Sequence, residues 1–125
     1  MHILTNDLIF PNVEEATKMG VLAIGGDLSP ERLLLAYQSG IFPWFEDNDP
    51  ILWWAPNPRM VLFLEDFVVS KSMRNIINRN IFKVTFNQDF KSVISHCSQV
   101  KRNGQRGTWI SDEMIEAYVK LHEMG

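Results

Sequence analysis

Apolar residues keep helical spacing in several stretches of the chain and alternate with polar ones in another. Met73, Ile76 and Ile77 fall on one face of a helix predicted from Ser70 to about Arg79, with Lys71, Arg74 and Arg79 projecting elsewhere. Phe82, Val84 and Phe86 then alternate with Lys83 and Thr85, the pattern of a half-buried strand. A further helix follows, with Asn87 as its cap and Phe90, Val93, Ile94 and Cys97 at helical spacing, which makes Cys97 a small core residue. Met60 to Leu64 is short, apolar and suited to a strand.

The remaining helices are announced by their ends. Asn12 followed by Glu15 resembles a capping box, and Gly20 can close a short helix over 13–19. Over 28–40, Ser29 is placed to cap, Pro30 suits the first turn, and Gly40 suits the stop. Leu28 and Leu33 occupy the two positions of a hydrophobic staple. At the end of the sequence Ser111 caps, Asp112 and Glu113 favour the positive end of the helix dipole, Ile110 and Ile115 can staple, and Gly125 falls at the stop.

At 125 residues the chain is one domain's worth of protein, and 46% apolar residues exclude disorder as its main state. No apolar run approaches the roughly 18 residues that a membrane helix needs. Asp7, Glu14 and Glu15 stand where a secretory leader would be basic and then apolar, and the single cysteine cannot form an internal bridge. The expectation is a cytoplasmic protein with no membrane partner.

The net charge of −3 hides a division. Residues 1–66 carry three basic against ten acidic side chains, 67–106 carry eight against one, and 107–125 carry one against four. A stretch at +7 between two acidic ones suggests contact with a polyanion, although a solvated face can also be basic. Two loops extend the picture: acidic Glu46 to Pro50, and basic Lys101 to Gly107, both expected to be exposed and mobile.

Candidate chemistry is sparse. His2, His96 and His122 have no metal-ligand spacing and no companion cysteines, and His122 is expected at the surface. No nucleophile elbow surrounds a serine or Cys97, and Gly25–Gly26 matches neither a dinucleotide fingerprint nor a phosphate loop. The aromatics say more. Phe42, Trp44, Phe45, Trp53 and Trp54 crowd into thirteen residues broken by prolines, so they cannot all line one element. They either form a small core under a loop or present tryptophan to stack on single-stranded nucleic acid.

The strings GVLAIGGDLSPERLLLAYQSGIFPWF, PILWWAPNPRMVLF and GTWISDEMIEAYVKLHEMG, in that order, resemble the leucyl/phenylalanyl-tRNA–protein transferase family over nearly all of residues 10–125. The resemblance implies an aminoacyltransferase that moves Leu or Phe from aminoacyl-tRNA to a protein with N-terminal Arg or Lys, marking it for degradation. It also implies an α+β architecture: a small N-terminal α/β domain over 1–60, then over 61–125 the opening strands and helices of an acetyltransferase-like (GNAT-type) fold. Members of the family continue well beyond the position of Gly125, and that further stretch holds the amino-acid pocket and the groups proposed to assist peptide-bond formation. No catalytic residue is therefore assigned here, and the 125-residue span alone is expected to be inactive.

Carried over position by position, the resemblance places Trp44 (in GIFPWF), Trp109 (in GTWI) and Tyr37 (in LLAYQSG) around the terminal adenosine of the tRNA. It places Lys71, Arg74 and Arg79 on the tRNA backbone, while Asn75 and Asn78 stand where relatives can be basic. Because an aminoacyl ester is already activated, the reaction requires neither a cofactor nor a metal, and the full-length enzyme is expected to be a monomer. The same surfaces would serve a catalytically silent tRNA- or RNA-binding module. A protein-interaction module using IFPWF and WWAPNP is a third reading.

Overall fold

The computed structural model describes residues 1–101, 103–104 and 107–125. Arg102, Gln105 and Arg106, which belong to the basic loop and to the count for 67–106, lie outside the described residues. The chain divides into two compact units, one of residues 1–57 with 90–125 and one of residues 58–89.

The first unit is mixed α/β, built on a four-stranded sheet. Strand β1 (His2–Leu4) runs parallel to β2 (Val21–Gly25). Strand β4 (Leu52–Trp54) pairs antiparallel with β2 and with β3 (Phe42–Pro43), giving the order β1-β2-β4-β3. The β2–β4 register shifts between Val21 and Ala23. Gly20, just ahead of it, adopts φ +94 and its carbonyl accepts from Ala55 N at 2.8 Å. Trp53 anchors this sheet. It is fully buried, its indole N–H donates to Gly25 O at 2.9 Å, and Phe10 meets its ring edge-on at 4.9 Å.

Helix α1 (Pro30–Gln38) starts where expected, with the Ser29 hydroxyl accepting from Arg32 N and Pro30 in the first turn. Leu28 and Leu33 are both buried in the core. Helix α4 (Asp112–Glu123) packs on α1 and inserts Met114 and Ala117 into the same core; Ser111 caps it through Met114 N. Between the two in sequence lies α3 (Phe90–Gln99), which packs on α4. There Phe90 stacks on His122 with centroids 4.7 Å apart, so this histidine is a packing partner rather than a solvated surface group.

Several expectations need correction. The helix over 13–19 is a single 3₁₀ turn, Val13–Glu15. Asn12 caps it through Glu14 N, but the Glu15 carboxylate does not turn back to complete a capping box: it pairs with His2 Nε2 at 2.8 Å. Asn87 does not sit as the cap of α3; it lies three residues ahead at φ +56, whereas a capping residue keeps extended backbone. Cys97 is exposed, because α3 turns Phe90 and Ile94, not the Val93–Cys97 side, toward the protein.

The second unit contains a 3₁₀ turn, Leu64–Asp66, and helix α2 (Lys71–Asn78), capped by Ser70 through Met73 N at 3.2 Å. The expected strands at 60–64 and 82–86 are absent among the described residues. Met60, Leu62, Leu64, Phe82, Val84 and Phe86 are all exposed, and neither segment has a neighbouring strand to take its backbone hydrogen bonds.

Candidate nucleic-acid interface

The aromatic cluster divides between the core and the surface. Strand alternation sends Trp53 inward, Phe45 closes over the core, and Pro43, two residues before Phe45, is buried as well. Trp44 is left 50% exposed. Trp109, at the entrance to α4, is 39% exposed, and the two indoles line one shallow apolar cavity of about 250 Å³ together with Phe42 and Pro43. Residues 65 positions apart are thus brought to one surface. Two exposed indoles around an apolar recess present flat π-faces, the surface on which a nucleobase stacks.

Trp44 is held from both sides. Its N–H donates to Leu52 O at 2.9 Å, and its carbonyl accepts the indole N–H of Trp54 at 2.7 Å. The rings of Trp44 and Trp54 lie 5.4 Å apart at 49°. Sequence reasoning counted Trp54 in the aromatic cluster without giving it a role; its adjacency to a buried tryptophan on a strand was the available signal.

Tyr37 does not line this cavity. It is half exposed near the end of α1, where its hydroxyl hydrogen-bonds that of Tyr118 on α4. Burial, and then this bond, raise the Tyr118 phenol well above its ordinary value, so Tyr118 stays neutral. Tyr118 was missed by sequence reasoning, since its place on the apolar side of α4 reads as packing.

Ahead of α1, the GGDLS segment is fastened by Arg32, whose side chain is completely buried. Its Nη2 donates to Thr5 O at 2.9 Å and to Asp27 Oδ2 at 3.1 Å, its Nε to Asp27 Oδ2 at 3.3 Å, and its Nη1 to Asp7 O at 3.2 Å. Burial pushes the Asp27 carboxyl up, but the hydrogen bonds from Ser29 and then the bond and charge of Arg32 outweigh it and hold it below its usual value.

In the other unit, α2 carries Lys71 and Arg74 one turn apart and Arg79 at its C-cap, all three exposed. Lys83 follows in the same unit and is also exposed. A second cavity in the first unit, about 740 Å³, is lined by Asp47, Asp49, Asp112 and Glu113 and is acidic in character. Among the described residues no three His, Cys, Asp or Glu side chains are grouped to hold a metal ion, and no helix is long and apolar enough to cross a membrane.

Comparison with known proteins agrees with the resemblance carried by the motifs. Residues 26–57 match the model of the leucyl/phenylalanyl-tRNA protein transferase N-terminal domain, and residues 61–125 match that of leucyl/phenylalanyl-tRNA protein transferase. Among curated relatives, the leucyl/phenylalanyl-tRNA–protein transferases of Flavobacterium johnsoniae and Flavobacterium psychrophilum are 67% and 66% identical over all 125 residues, which span 59% of each. That of Sulfurimonas denitrificans is 50% identical over 98% of this chain and 53% of its own length. The chain thus spans little more than half of the relatives it matches, and with two successive family models along it, it belongs to the leucyl/phenylalanyl-tRNA–protein transferase family.

Proposed function

We propose that the protein transfers Leu or Phe from aminoacyl-tRNA to the N-terminal Arg or Lys of an acceptor protein, marking it for degradation in the cytoplasm. The observation that carries this reading is the pair of exposed indoles, Trp44 and Trp109, on one apolar cavity. In this reading they hold the terminal adenine of the tRNA, Tyr37 stands close to the same pocket, and Lys71, Arg74 and Arg79 meet the tRNA backbone. The backbone contacts orient the tRNA without reading its sequence.

The chemistry then asks for alignment rather than activation. The acceptor's α-amino nitrogen attacks the ester carbonyl carbon and a tetrahedral oxyanion forms. Its collapse breaks the ester C–O bond and leaves the new C–N peptide bond. The proton given up by the amine balances the one taken up by the departing ribose oxygen, which leaves as a hydroxyl. An α-amino group with a pKa of about 7.7–8.0 is already partly neutral near pH 7. Fixing the adenosine fixes the ester beside it, which converts a collision into a positioned attack. Stabilising the oxyanion and selecting Leu or Phe fall to groups we place outside residues 1–125, so this span alone is inactive.

The same reading gives the second unit its logic. Residues 61–125 would open an acetyltransferase-like (GNAT-type) fold after a first domain over 1–60. The apolar alternation at 82–86 and the apolar run at 60–64 would become strands when further strands of the full-length monomer pair with them.

The test is transfer itself. Full-length protein, given labelled Leu-tRNA and a peptide with N-terminal Arg, should move label into the peptide, and a peptide with N-terminal acetyl-Arg should receive none. Salt-sensitive tRNA binding without transfer would replace this reading with the silent RNA-binding module. Absence of tRNA binding would end both.

A further inference from the structure

Trp44 is an exposed side chain with no core to fix its angle, yet stacking on a base demands a defined ring plane. The neighbouring strand fixes it. Leu52 and Trp54 of β4 grip the Trp44 peptide from its N–H and its carbonyl, at 2.9 and 2.7 Å, and the Trp54 ring lies against the Trp44 ring at 49°. Trp54 is itself rooted, since Trp53 and Ala55 on either side are buried and its backbone is paired to Phe42 and Val21.

We propose that Trp54 is a positioning residue for Trp44: its indole N–H, donated to the Trp44 carbonyl, and its ring, set beside the Trp44 ring, hold the indole in the orientation that receives the terminal adenine. The inference rests on the reading of Trp44 as an adenine-stacking surface. A pre-oriented ring loses little rotamer freedom on binding, so the contact is stronger than that of a free surface tryptophan. Phe or Tyr at position 54 could fill the space but has no N–H at that point of the ring.

The experiment uses full-length protein and labelled leucine tRNA, either intact or lacking its 3′-terminal adenosine, and reads the dissociation constant for the trimmed tRNA divided by that for the intact one. That ratio isolates the adenosine contact, and a general loss of structure would weaken both tRNAs alike. Trp54→Phe should lower the ratio by about three- to tenfold, leaving the affinity for trimmed tRNA unchanged. 3-Benzothienylalanine in place of Trp54 keeps the shape and removes only the N–H, so it guards against a packing defect; it should lower the ratio as well. In a Trp44→Ala background, Trp54→Phe should have no further effect, because a positioning residue acts only through what it positions. If Trp44→Ala lowers the ratio while both changes at Trp54 leave it intact, or if the two positions act independently, the inference is wrong and the adenosine reading survives. If Trp44→Ala leaves the ratio unchanged, the adenosine reading falls and takes the inference with it.

Discussion

The hydroxyls of Tyr37 and Tyr118 share a hydrogen bond that joins α1 to α4, with the two rings edge to face and their centroids 6.4 Å apart. The residues are 81 positions apart, one in each of two helices that pack on each other. The bond therefore ties the half-exposed Tyr37, in the YQSG turn, to an anchor inside α4.

Tyr37→Phe should cost about 0.5–1.5 kcal/mol in urea unfolding, the net value of one hydrogen bond. Tyr118 should still ionise above its ordinary range, because burial is the larger cause and the bond to Tyr37 the smaller. Since the folded value is raised, its contribution to stability is complete below the unfolded value of about 10 and is lost as pH rises further. Alkaline titration of the phenolate absorbance reads this directly; a Tyr118 that titrated normally in Tyr37→Phe would show the bond, not burial, to be in control.

Arg32 should be the most sensitive charged residue of the first unit. Its buried guanidinium satisfies Thr5 O, Asp7 O and Asp27 together, so removal strands two backbone carbonyls and a carboxylate. Arg32→Met should cost about 2–4 kcal/mol, and Arg32→Lys should recover only part of it, because one ammonium cannot reach all three partners. The pH dependence follows from Asp27, whose carboxyl is held below its ordinary value. Its contribution is present above the unfolded value of about 3.9 and is lost as pH falls through the lower folded one. Melting temperatures of wild type and Asp27→Asn should therefore differ steadily near neutrality and converge only in acid, below about pH 4.

Gly20 is irreplaceable for two separable reasons. Its φ of +94 disfavours any side chain, and a Cβ there would lie 2.8 Å from Pro56 Cα and 2.9 Å from Pro56 Cβ. Gly20→Ala should lose at least about 2 kcal/mol, from strain plus the clash with a rigid ring. Gly107, where an added Cβ meets nothing within 4 Å, is the matched control. Gly107→Ala should change the urea midpoint little, and an equal loss at both positions would mean that neither the Pro56 contact nor the positive φ is what matters at Gly20.

The parts of the fold that were legible share a local cause. Ser29, Ser70 and Ser111 cap their helices through the third residue on, a signal complete within four positions. What misled was pattern whose meaning depends on distant partners. Glu15 looked like half of a capping box, but His2 offers its carboxylate an ion pair from β1. Phe82, Val84 and Phe86 alternate as a strand does, yet alternation forms no strand without a neighbour to bond to. Cys97 keeps helical spacing with Phe90, but α3 is covered along only one side. The shared recess of Trp44 and Trp109 was implied by the family resemblance and not by local pattern, for the same reason: only the sheet and α4 bring the two residues together.

The charge on α2 yields the last prediction. Lys71, Arg74 and Arg79 are exposed, and Ser70 fixes the start of the short helix that presents them. Exposed cations held by nothing but a helix contribute little to stability, so replacing them by Gln should leave the melting temperature almost unchanged. If they grip phosphates, each replacement should weaken binding of every tRNA alike and reduce the slope of log affinity against log salt by roughly one. Lys91, exposed on α3 within the other unit, serves as the control for bulk charge. A Lys91→Gln change that lowered the slope as much as Arg74→Gln would show that the tRNA senses net charge rather than this helix. An effect confined to α2, with Kd rising equally for leucine and phenylalanine tRNAs, would identify it as the grip on the tRNA body and, under the proposed function, leave the choice of amino acid to another part of the full-length protein.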